Sequence, residues 1–285
     1  MTFPTAGVWS SELAYHPDEG RIAEAAAELE SLGFGVLWFP GGKGGEEFTQ
    51  AQRLLAATTT ALVASGILNV WSWTPAEAAR GAATLRTQHE DRFLMGIGIS
   101  HAPMIEGYKQ PLKTMRRFID GLDEAPDRLP REAVVVAALG PKMLDLSGER
   151  TAGTHPYFSP VEHTAAARER LGDGALVAPE FAAVLETDVT RARELARGHM
   201  EMYLKLPNYT NNLLRHGFEE ADLADGGSDR LVDAIVAHGD VDAIAARAAE
   251  HHAAGADHVC VQVIHDGDGL PLEIWRELAP ALTAV

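Results

Sequence analysis

The stretch Phe93-Leu94-Met95-Gly96-Ile97-Gly98-Ile99, followed at once by Ser100 and His101, decides the fold class. It is a continuous apolar run and lacks the alternation of a half-exposed strand. Such runs are typical of parallel strands that are covered on both faces. Its two glycines lie inside the run and no third glycine follows, so the pair does not match the dinucleotide-binding fingerprint.

Seven more apolar runs of this kind lie on either side of it. They cover residues 7–9, 36–39, 62–68, 134–139, 153–158, 175–178 and 259–264. Segments with helical spacing lie between them; one ends at Gly33, and Pro75 and Pro141 stand where first helical turns begin. Eight strands that alternate with helices predict an α/β protein, a (β/α)8 barrel, with a doubly wound open sheet as the alternative.

One interval is too long for a single crossover, because about eighty residues separate Ala178 from Val259. It predicts a helix over about 189–206, a polar and aromatic stretch at 206–212, and a turn at 225–229. We predict one domain over residues 1–285, with a helical insertion at about 187–255 that follows the seventh strand and can cover the mouth of the barrel.

Composition limits the function classes. Lys and Arg number 24 and Asp and Glu number 41, so the formal net charge is −17. Such a chain repels phosphate backbones and anionic lipid, which argues against nucleic-acid or membrane partners. The single cysteine, Cys260, cannot form an intramolecular disulfide, the N-terminus does not resemble a signal peptide, and no apolar window is long enough to cross a membrane. We expect a cytoplasmic protein with a small-molecule substrate.

The functional site of such a barrel lies at the C-terminal ends of its strands. The residues just after the apolar runs are Ser10, Ser11, Pro40, Gly41, Gly42, Asn69, Ser100, His101, Gly140, Pro141, Lys142, His155, Tyr157, Glu180, Gln262 and His265. They include few carboxylates, and the chain has no metal-ligand spacing and no nucleophile elbow. We therefore predict no metal site, and a cofactor that brings its own reactivity. Cys260, in mid-strand, is expected to be a buried structural thiol.

An anion site is predicted where the fifth run ends. Gly140 turns the chain and Pro141 opens a helix, which leaves the N–H groups of Lys142 and Met143 free at a positive helix end. The alternative is a tight strand-to-helix turn with a solvated lysine.

A ring site is predicted near Gly66. A glycine late in a buried strand marks a bulge or a close backbone approach, against which a flat ring could lie. The alternative is a plain strand end whose Trp71 and Trp73 pack on helices. His101, just past the fourth run, could exchange a proton with a ligand or could be structural.

Taken together and in order, several segments resemble the luciferase-like flavin and deazaflavin oxidoreductases, specifically the branch that uses coenzyme F420. The similar segments are residues 66–71, 93–101, 138–144, 153–157, 206–209 and 255–259. The resemblance implies a luciferase-like (β/α)8 TIM barrel, usually a homodimer, that binds a flavin-type ring at its mouth. It also implies a non-prolyl cis peptide in the third strand, here Gly66–Ile67.

The resemblance assigns roles to particular residues. Cofactor binding is expected at Gly66, Ile67, Leu68, Asn69, Ser100, Ala138, Leu139, Gly140, Pro141, Lys142 and Met143. Asn69 matches a contact to the polar edge of the ring, the phosphate is expected near Gly140–Met143, and His101 matches a catalytic acid. Trp9, Trp71 and Tyr157 are expected to form substrate walls. Pro40 and Gly41 depart from the carboxylate–histidine pair of many relatives, and His101 replaces the glutamate of sugar-phosphate-oxidising relatives.

The function hypothesis is an F420-dependent oxidoreductase that moves a hydride between the deazaflavin and an organic substrate. Three alternatives stay open: a monooxygenase that uses reduced FMN and oxygen, a barrel that binds a flavin-type ligand without turnover, and a phosphate-binding lyase or isomerase. The last would need a lysine or paired carboxylates at strand ends, and none is convincingly placed.

Overall fold

The computed structural model describes residues 3–41 and 45–284, in which eleven strands and twelve α-helices follow one another. Gly42, one of the strand-end candidates, lies outside the described residues. The strands are β1 Ala6–Trp9, β2 Val36–Phe39, β3 Leu62–Ser65, β4 Leu68–Asn69, β5 Phe93–Gly98, β6 Val134–Val136, β7 Gly153–Thr154, β8 Leu176–Val177, β9 Glu180–Leu185, β10 Val236–Gly239 and β11 Val259–Val263. The helices are α1 Glu12–Tyr15, α2 Glu19–Ser31, α3 Glu47–Ala57, α4 Pro75–Gln88, α5 Pro111–Glu124, α6 Pro141–Arg150, α7 Val161–Leu171, α8 Val189–Tyr203, α9 Pro207–Arg215, α10 Asp229–Ile235, α11 Val241–Ala253 and α12 Leu272–Leu282.

Parallel pairing joins the strands into a closed ring. The order runs β11-β1-β2-β3-β5-β6-β7-β8, with β4 continuing β3 along β5. β8 and β9 are two halves of one extended segment, of which the first half pairs with β7 and the second with β11. Counting each of these two broken strands once gives eight barrel strands. The predicted luciferase-like (β/α)8 class is confirmed.

One strand, β10, lies outside the ring. β10 pairs in parallel with β9, with Val236 opposite Ala182 and Gly239 opposite Leu185. The interval predicted as a helical insertion does contain α8, α9 and α10 after the seventh barrel strand. It is not purely helical, because β10 extends the sheet beyond the barrel.

The hydrophobic core has two layers. Inside the ring, Trp38, Ala64 and Cys260 are fully buried, so Cys260 is the buried thiol that the sequence predicts. Outside the ring, the helices bury their apolar faces against the strands, as α2 does with Ile22 and Leu29. Over residues 3–41 and 45–284, no helix combines the length and the apolar character that crossing a bilayer requires.

Glu30, near the end of α2, holds the loop that leads into β3. Its carboxylate accepts hydrogen bonds from the backbone N–H groups of Thr59, Thr60 and Ala61 at distances between 2.6 and 3.0 Å. These bonds outweigh desolvation and lower the pKa of Glu30 to about 2. The charged carboxylate thus stabilises the start of the strand that carries the site.

Replacing this carboxylate tests that role. Glu30→Gln leaves amide donors facing backbone donors, so we expect it to lower the free energy of unfolding at pH 7 by about 2 kcal/mol. The native pKa lies below the unfolded value, so the stabilisation is complete above about pH 4.5 and is lost as the pH falls toward 2. Urea unfolding at several pH values measures this, with the exposed Glu24→Gln on the same helix as the control. A difference between wild type and Glu30→Gln that stays constant down to pH 2 would contradict the assignment.

Candidate active site at the barrel mouth

The third barrel strand is interrupted by a bulge. Between β3 and β4, the peptide bond that joins Gly66 to Ile67 is cis, as the resemblance implies. The Gly66 N–H donates to Phe39 O at 2.7 Å, and the Trp9 indole N–H donates to Gly66 O at 3.0 Å. On the other side, the Ser65 hydroxyl accepts from the Gly96 N–H and donates to the Gly96 carbonyl, each at 3.0 Å. The bulge is therefore bonded to the strands on both sides of it.

Three glycines make room for the bulge. A Cβ on Gly96 would lie 2.0 Å from Ser65 O, and a Cβ on Gly41 would lie 1.8 Å from Ile67 O. A Cβ on Gly98 would lie 2.4 Å from Cδ1 of Ile67. The Gly-x-Gly pair of β5 therefore accommodates the neighbouring bulge, which explains why it lacks the dinucleotide-binding pattern.

A cavity of about 340 Å³ opens above this bulge, between the strand ends and α9. Its apolar floor is formed by Ile67, Gly98 and Ala137. Of the residues predicted to form the site, those that line this cavity are Ile67, Ser100, His101, Leu139, Gly140, Met143 and Tyr157. The other lining residues are Gly98, Ile99, Tyr108, Pro111, Ala137, Pro156, Asn208, Tyr209, Asn211 and Arg215.

The remaining predicted residues lie around the cavity. Leu68 and Ala138 are fully buried in the core. Asn69 accepts the Trp71 backbone N–H at 3.1 Å, and the Trp71 indole N–H donates to Ile99 O at 2.8 Å. Both residues therefore support the rim of the cavity.

Three further predicted residues, Pro141, Lys142 and Trp9, also fall outside the lining of this cavity. Pro141 and Lys142 are exposed at the start of α6. Trp9 lines a second cavity beside β1.

The helix start at α6 differs in one respect from the sequence-based expectation. The Met143 N–H donates to Gly140 O at 3.0 Å, so it is not free as predicted. The Met143 side chain lines the cavity, and the space beside the Gly140 α-carbon is open. The positive N-terminal end of α6 therefore faces the cavity with fewer free backbone N–H donors than the sequence predicts.

Arg215 is the one Lys or Arg among the described residues that line the cavity. It is the last residue of α9, and its Nη1 donates to Asn212 Oδ1 at 2.9 Å. No sequence pattern marks Arg215 as a site residue, because it lies far along the chain from Gly140 and only the packing of α9 brings the two to one cavity.

His101 is partly buried in the cavity wall. Its Nδ1 is buried and has no hydrogen-bond partner among the described residues. Burial lowers the pKa of His101 below 6.5, so the imidazole is neutral at pH 7. Its ring centroid lies 5.0 Å from that of Tyr209, and the preceding carbonyl, Ser100 O, accepts from Asn208 Nδ2 at 3.3 Å. Contacts with α9 thus hold the His101 ring in place, and its Nδ1 has no hydrogen-bond partner among the described residues.

Tyr157 joins the cavity to a hydrogen-bond chain. Its hydroxyl lies 2.5 Å from His199 Nε2 and 2.5 Å from Gln262 Oε1. Burial lowers the pKa of His199 to about 4 and raises the pKa of Tyr157 well above 10, so both are neutral at pH 7. His199 then donates to Tyr157, which donates to Gln262. His199 was not among the predicted site residues, because it comes from the insertion helix α8 and not from a strand end.

A buried carboxyl–imidazole pair lies under the bulge. His155 Nε2 is 3.5 Å from Glu180 Oε2, and both side chains are almost completely buried. The His155 ring stacks on Trp38 with centroids 3.8 Å apart, and its Nδ1 bonds to Ala178 O at 2.8 Å. Burial raises the pKa of Glu180. His155 and Glu180, which follow strand ends in the sequence, thus lie in the barrel interior and not at its mouth.

Within the described part of the chain, no three His, Cys, Asp or Glu side chains come together as metal ligands. The site is built from apolar and neutral polar groups with a single arginine.

The sequence profile of a protein family described as luciferase-like monooxygenase matches residues 2–258. A Mycobacterium tuberculosis protein, named as a candidate coenzyme F420-dependent oxidoreductase, is 26% identical over 162 residues. That match spans 55% of this chain and 44% of the relative, so the chain matches less than half of that protein's length.

Solved structures share the fold. An F420-dependent secondary alcohol dehydrogenase, in complex with an F420–acetone adduct, superposes with a TM-score of 0.73 at 15% identity, covering 98% of this chain and 99% of that one. The coenzyme F420-dependent tetrahydromethanopterin reductase from Methanopyrus kandleri gives 0.72 at 17% identity, covering 98% and 97%. The FMN complex of the oxygenating constituent of 3,6-diketocamphane monooxygenase, from Pseudomonas putida, gives 0.71 at 14% identity, covering 99% and 97%.

Two glycine substitutions distinguish the parts of the bulge. Gly96→Ala places a methyl group against a backbone oxygen, whereas Gly98→Ala places it against the end of the Ile67 side chain, which can rotate. We expect about 3 kcal/mol of destabilisation for Gly96→Ala and about 1 kcal/mol for Gly98→Ala, measured by urea unfolding. Equal losses for the two variants would show that the backbone of the bulge is not held as described.

Proposed function

The chain belongs to the luciferase-like monooxygenase family, and from this we propose that it is an oxidoreductase that uses coenzyme F420 to exchange a hydride with a small organic substrate. The observation that carries the proposal is the cavity above Gly66–Ile67, which combines an apolar floor, one cation and one unpartnered imidazole. The similarity to a candidate F420-dependent oxidoreductase supports the choice of cofactor.

The lining residues fit a flat ring that carries an anionic tail. Ile67, Gly98 and Ala137 offer an apolar surface without charged groups. Arg215 and the helix start at Gly140 line the same cavity and would bind a phosphate group. When bound, a deazaflavin supplies hydride transfer at a ring carbon, and the protein supplies position, a dry environment and a proton acceptor.

His101 is the proposed proton acceptor. Since burial keeps its imidazole neutral at pH 7, it can take the proton of a substrate hydroxyl as the substrate gives up a hydride. Tyr157 is a poor acid because burial raises its pKa well above 10, and its role is to hold Gln262 and His199 in place.

The direct test of the function is titration of the purified protein with the deazaflavin and with FMN, followed by tryptophan fluorescence. We expect the deazaflavin to bind more tightly, and hydride transfer to follow with a suitable alcohol. Tight binding of FMN alone, with oxygen consumption when it is reduced, would assign the protein to flavin monooxygenase chemistry.

Charge substitutions test the phosphate site. Arg215→Gln removes the cation that lines the cavity, so we expect the deazaflavin Kd to rise about tenfold. Lys142→Gln removes a cation of the exposed helix start and should raise Kd less than about threefold, because an exposed charge is screened. Repeating the titration with the analogue that lacks the phosphate gives the control, since Arg215→Gln should then have little effect. A larger loss for Lys142→Gln would move the phosphate to the outer face of α6.

The pH profile tests His101. In the wild type we expect kcat/KM for alcohol oxidation to fall as the pH drops through the lowered pKa of His101, below 6.5. His101→Gln should reduce kcat by about a hundredfold and remove this acid limb, while Kd for the deazaflavin stays within about threefold. An unchanged acid limb in His101→Gln would assign the proton to another group.

A further inference from the structure

A group of basic side chains without partners lies beside the cavity above the bulge, the first cavity. Within residues 3–41 and 45–284, most Lys and Arg side chains make a hydrogen bond or an ion pair. Apart from Arg21 and Arg128, the described ones that make neither lie at or near the starts of α5 and α6. They are Lys109, Lys113, Arg116, Arg117 and Lys142, all of them exposed, and we call them the basic row.

The basic row begins at the rim of the first cavity. Pro111 opens α5 and lines the cavity, as does Met143 in the first turn of α6. Lys142 directly precedes Met143, and Lys113 lies within one turn of Pro111. Since a helix rises about 1.5 Å per residue, Arg117 lies about 9 Å farther along the axis of α5 than Pro111. The basic row therefore leads from the rim of the cavity onto the outer surface of the barrel.

One face of α5 presents its cations to solvent. Lys113, Arg116 and Arg117 are spaced at i, i+3 and i+4, so they share one side of the helix. The opposite side of α5 is apolar and is buried against the core. The helix is thus anchored by its apolar side, and its charged side is free to meet a ligand.

The acidic side chains nearby do not neutralise the basic row. Asp120 and Asp123 of α5 both accept from Nη2 of Arg150 on α6, at 2.8 and 2.7 Å. Glu106, before α5, and Glu124, at its end, are exposed and make no ion pair within the described residues. The cations of the basic row outnumber these two carboxylates, so the surface keeps a local positive charge.

This positive surface stands out in a chain whose net charge is −17. The chain as a whole repels anions, so an anionic group is attracted only where free cations are concentrated. One exposed ion pair contributes little, because water and salt screen it. A ligand already held in the first cavity keeps its outer end at a high effective concentration beside the basic row, so several weak pairs add up.

We propose that the basic row binds the carboxylate chain of the cofactor, and that the protein therefore binds coenzyme F420 with a long glutamate chain more tightly than coenzyme F420 with a single glutamate. Beyond its phosphate this cofactor carries a lactyl group and a chain of glutamates, so its free end is a flexible series of carboxylates. The proposal rests on the proposed function, because it takes the phosphate to lie beside Arg215 and Gly140 in the first cavity. Nucleic acid is the rival anion, and the continuity of the basic row with the rim of the cavity favours the cofactor chain.

Two forms of coenzyme F420 that differ only in chain length test the proposal, one with a single glutamate and one with about five. Their Kd values for the full-length protein are measured by tryptophan fluorescence at about 50 mM salt. We expect the longer form to bind about tenfold more tightly, and the difference to fall below about threefold at about 0.5 M salt, because salt screens exposed charges. Arg116→Gln/Arg117→Gln should reduce the difference at low salt to about threefold or less. The matched control, Arg21→Gln/Arg128→Gln, removes the same charge from exposed arginines outside the basic row and should keep the preference of the wild type.

Several results would overturn the proposal. These are equal binding of the two forms to the wild type, an undiminished preference in Arg116→Gln/Arg117→Gln, a preference that survives high salt, or an equal loss in the control variant. A short single-stranded oligonucleotide that binds the wild type but not Arg116→Gln/Arg117→Gln, while the two cofactor forms bind equally, would assign the basic row to nucleic acid. Binding of both forms without a preference leaves the proposed function intact. Failure of both forms to bind removes the proposed function and this inference with it.

Discussion

The packing of Ile67 against glycine backbone is the constraint on which the rest of the site depends. Gly96, Gly98 and Gly41 lie where any side chain would collide with the bulge, because a Cβ at these positions would come within 2.0, 2.4 and 1.8 Å of it. The Ile67 side chain therefore lies flat across β5 and forms an apolar floor. Close packing of this kind leaves the backbone of the bulge few alternative arrangements.

Burial sets the protonation of the groups around that floor. His101 and His199 both have a lowered pKa and Tyr157 a raised one, mainly because desolvation disfavours their charged forms. The mouth is consequently a region of neutral hydrogen-bonding groups at pH 7. In such a region a single charge acts strongly, which is why we propose Arg215 as the partner of a phosphate group.

The sequence predicted the barrel well, because continuous apolar runs such as 36–39 and 259–264 coincide closely with β2 and β11. A glycine late in the third run indicated a bulge or a close backbone approach near Gly66, and the family resemblance added the cis bond at Gly66–Ile67. The sequence did not predict the second half of the broken seventh strand, β9, since the run at 175–178 ends just before Pro179. Nor did it predict β10, in which two apolar residues precede His238 and Gly239.

Site residues were harder to predict where packing, and not a position just after a strand, brings them to the cavity. Ser100, His101 and Gly140 follow strand ends, and each lines the cavity, whereas Arg215 and His199 come from insertion helices whose arrangement no local pattern encodes.

The charge around the first cavity differs from that of the chain as a whole. The chain carries a net charge of −17, so an anion approaching from solvent is repelled overall and is retained only beside a local cation. Arg215 lines the first cavity, whereas the second is lined by a carboxylate, Glu12. Tyr157, His199 and Gln262 are joined by hydrogen bonds and stand between the two cavities. The anionic tail of the proposed cofactor would therefore meet its cation at the first cavity, where the net charge of the chain would otherwise oppose binding.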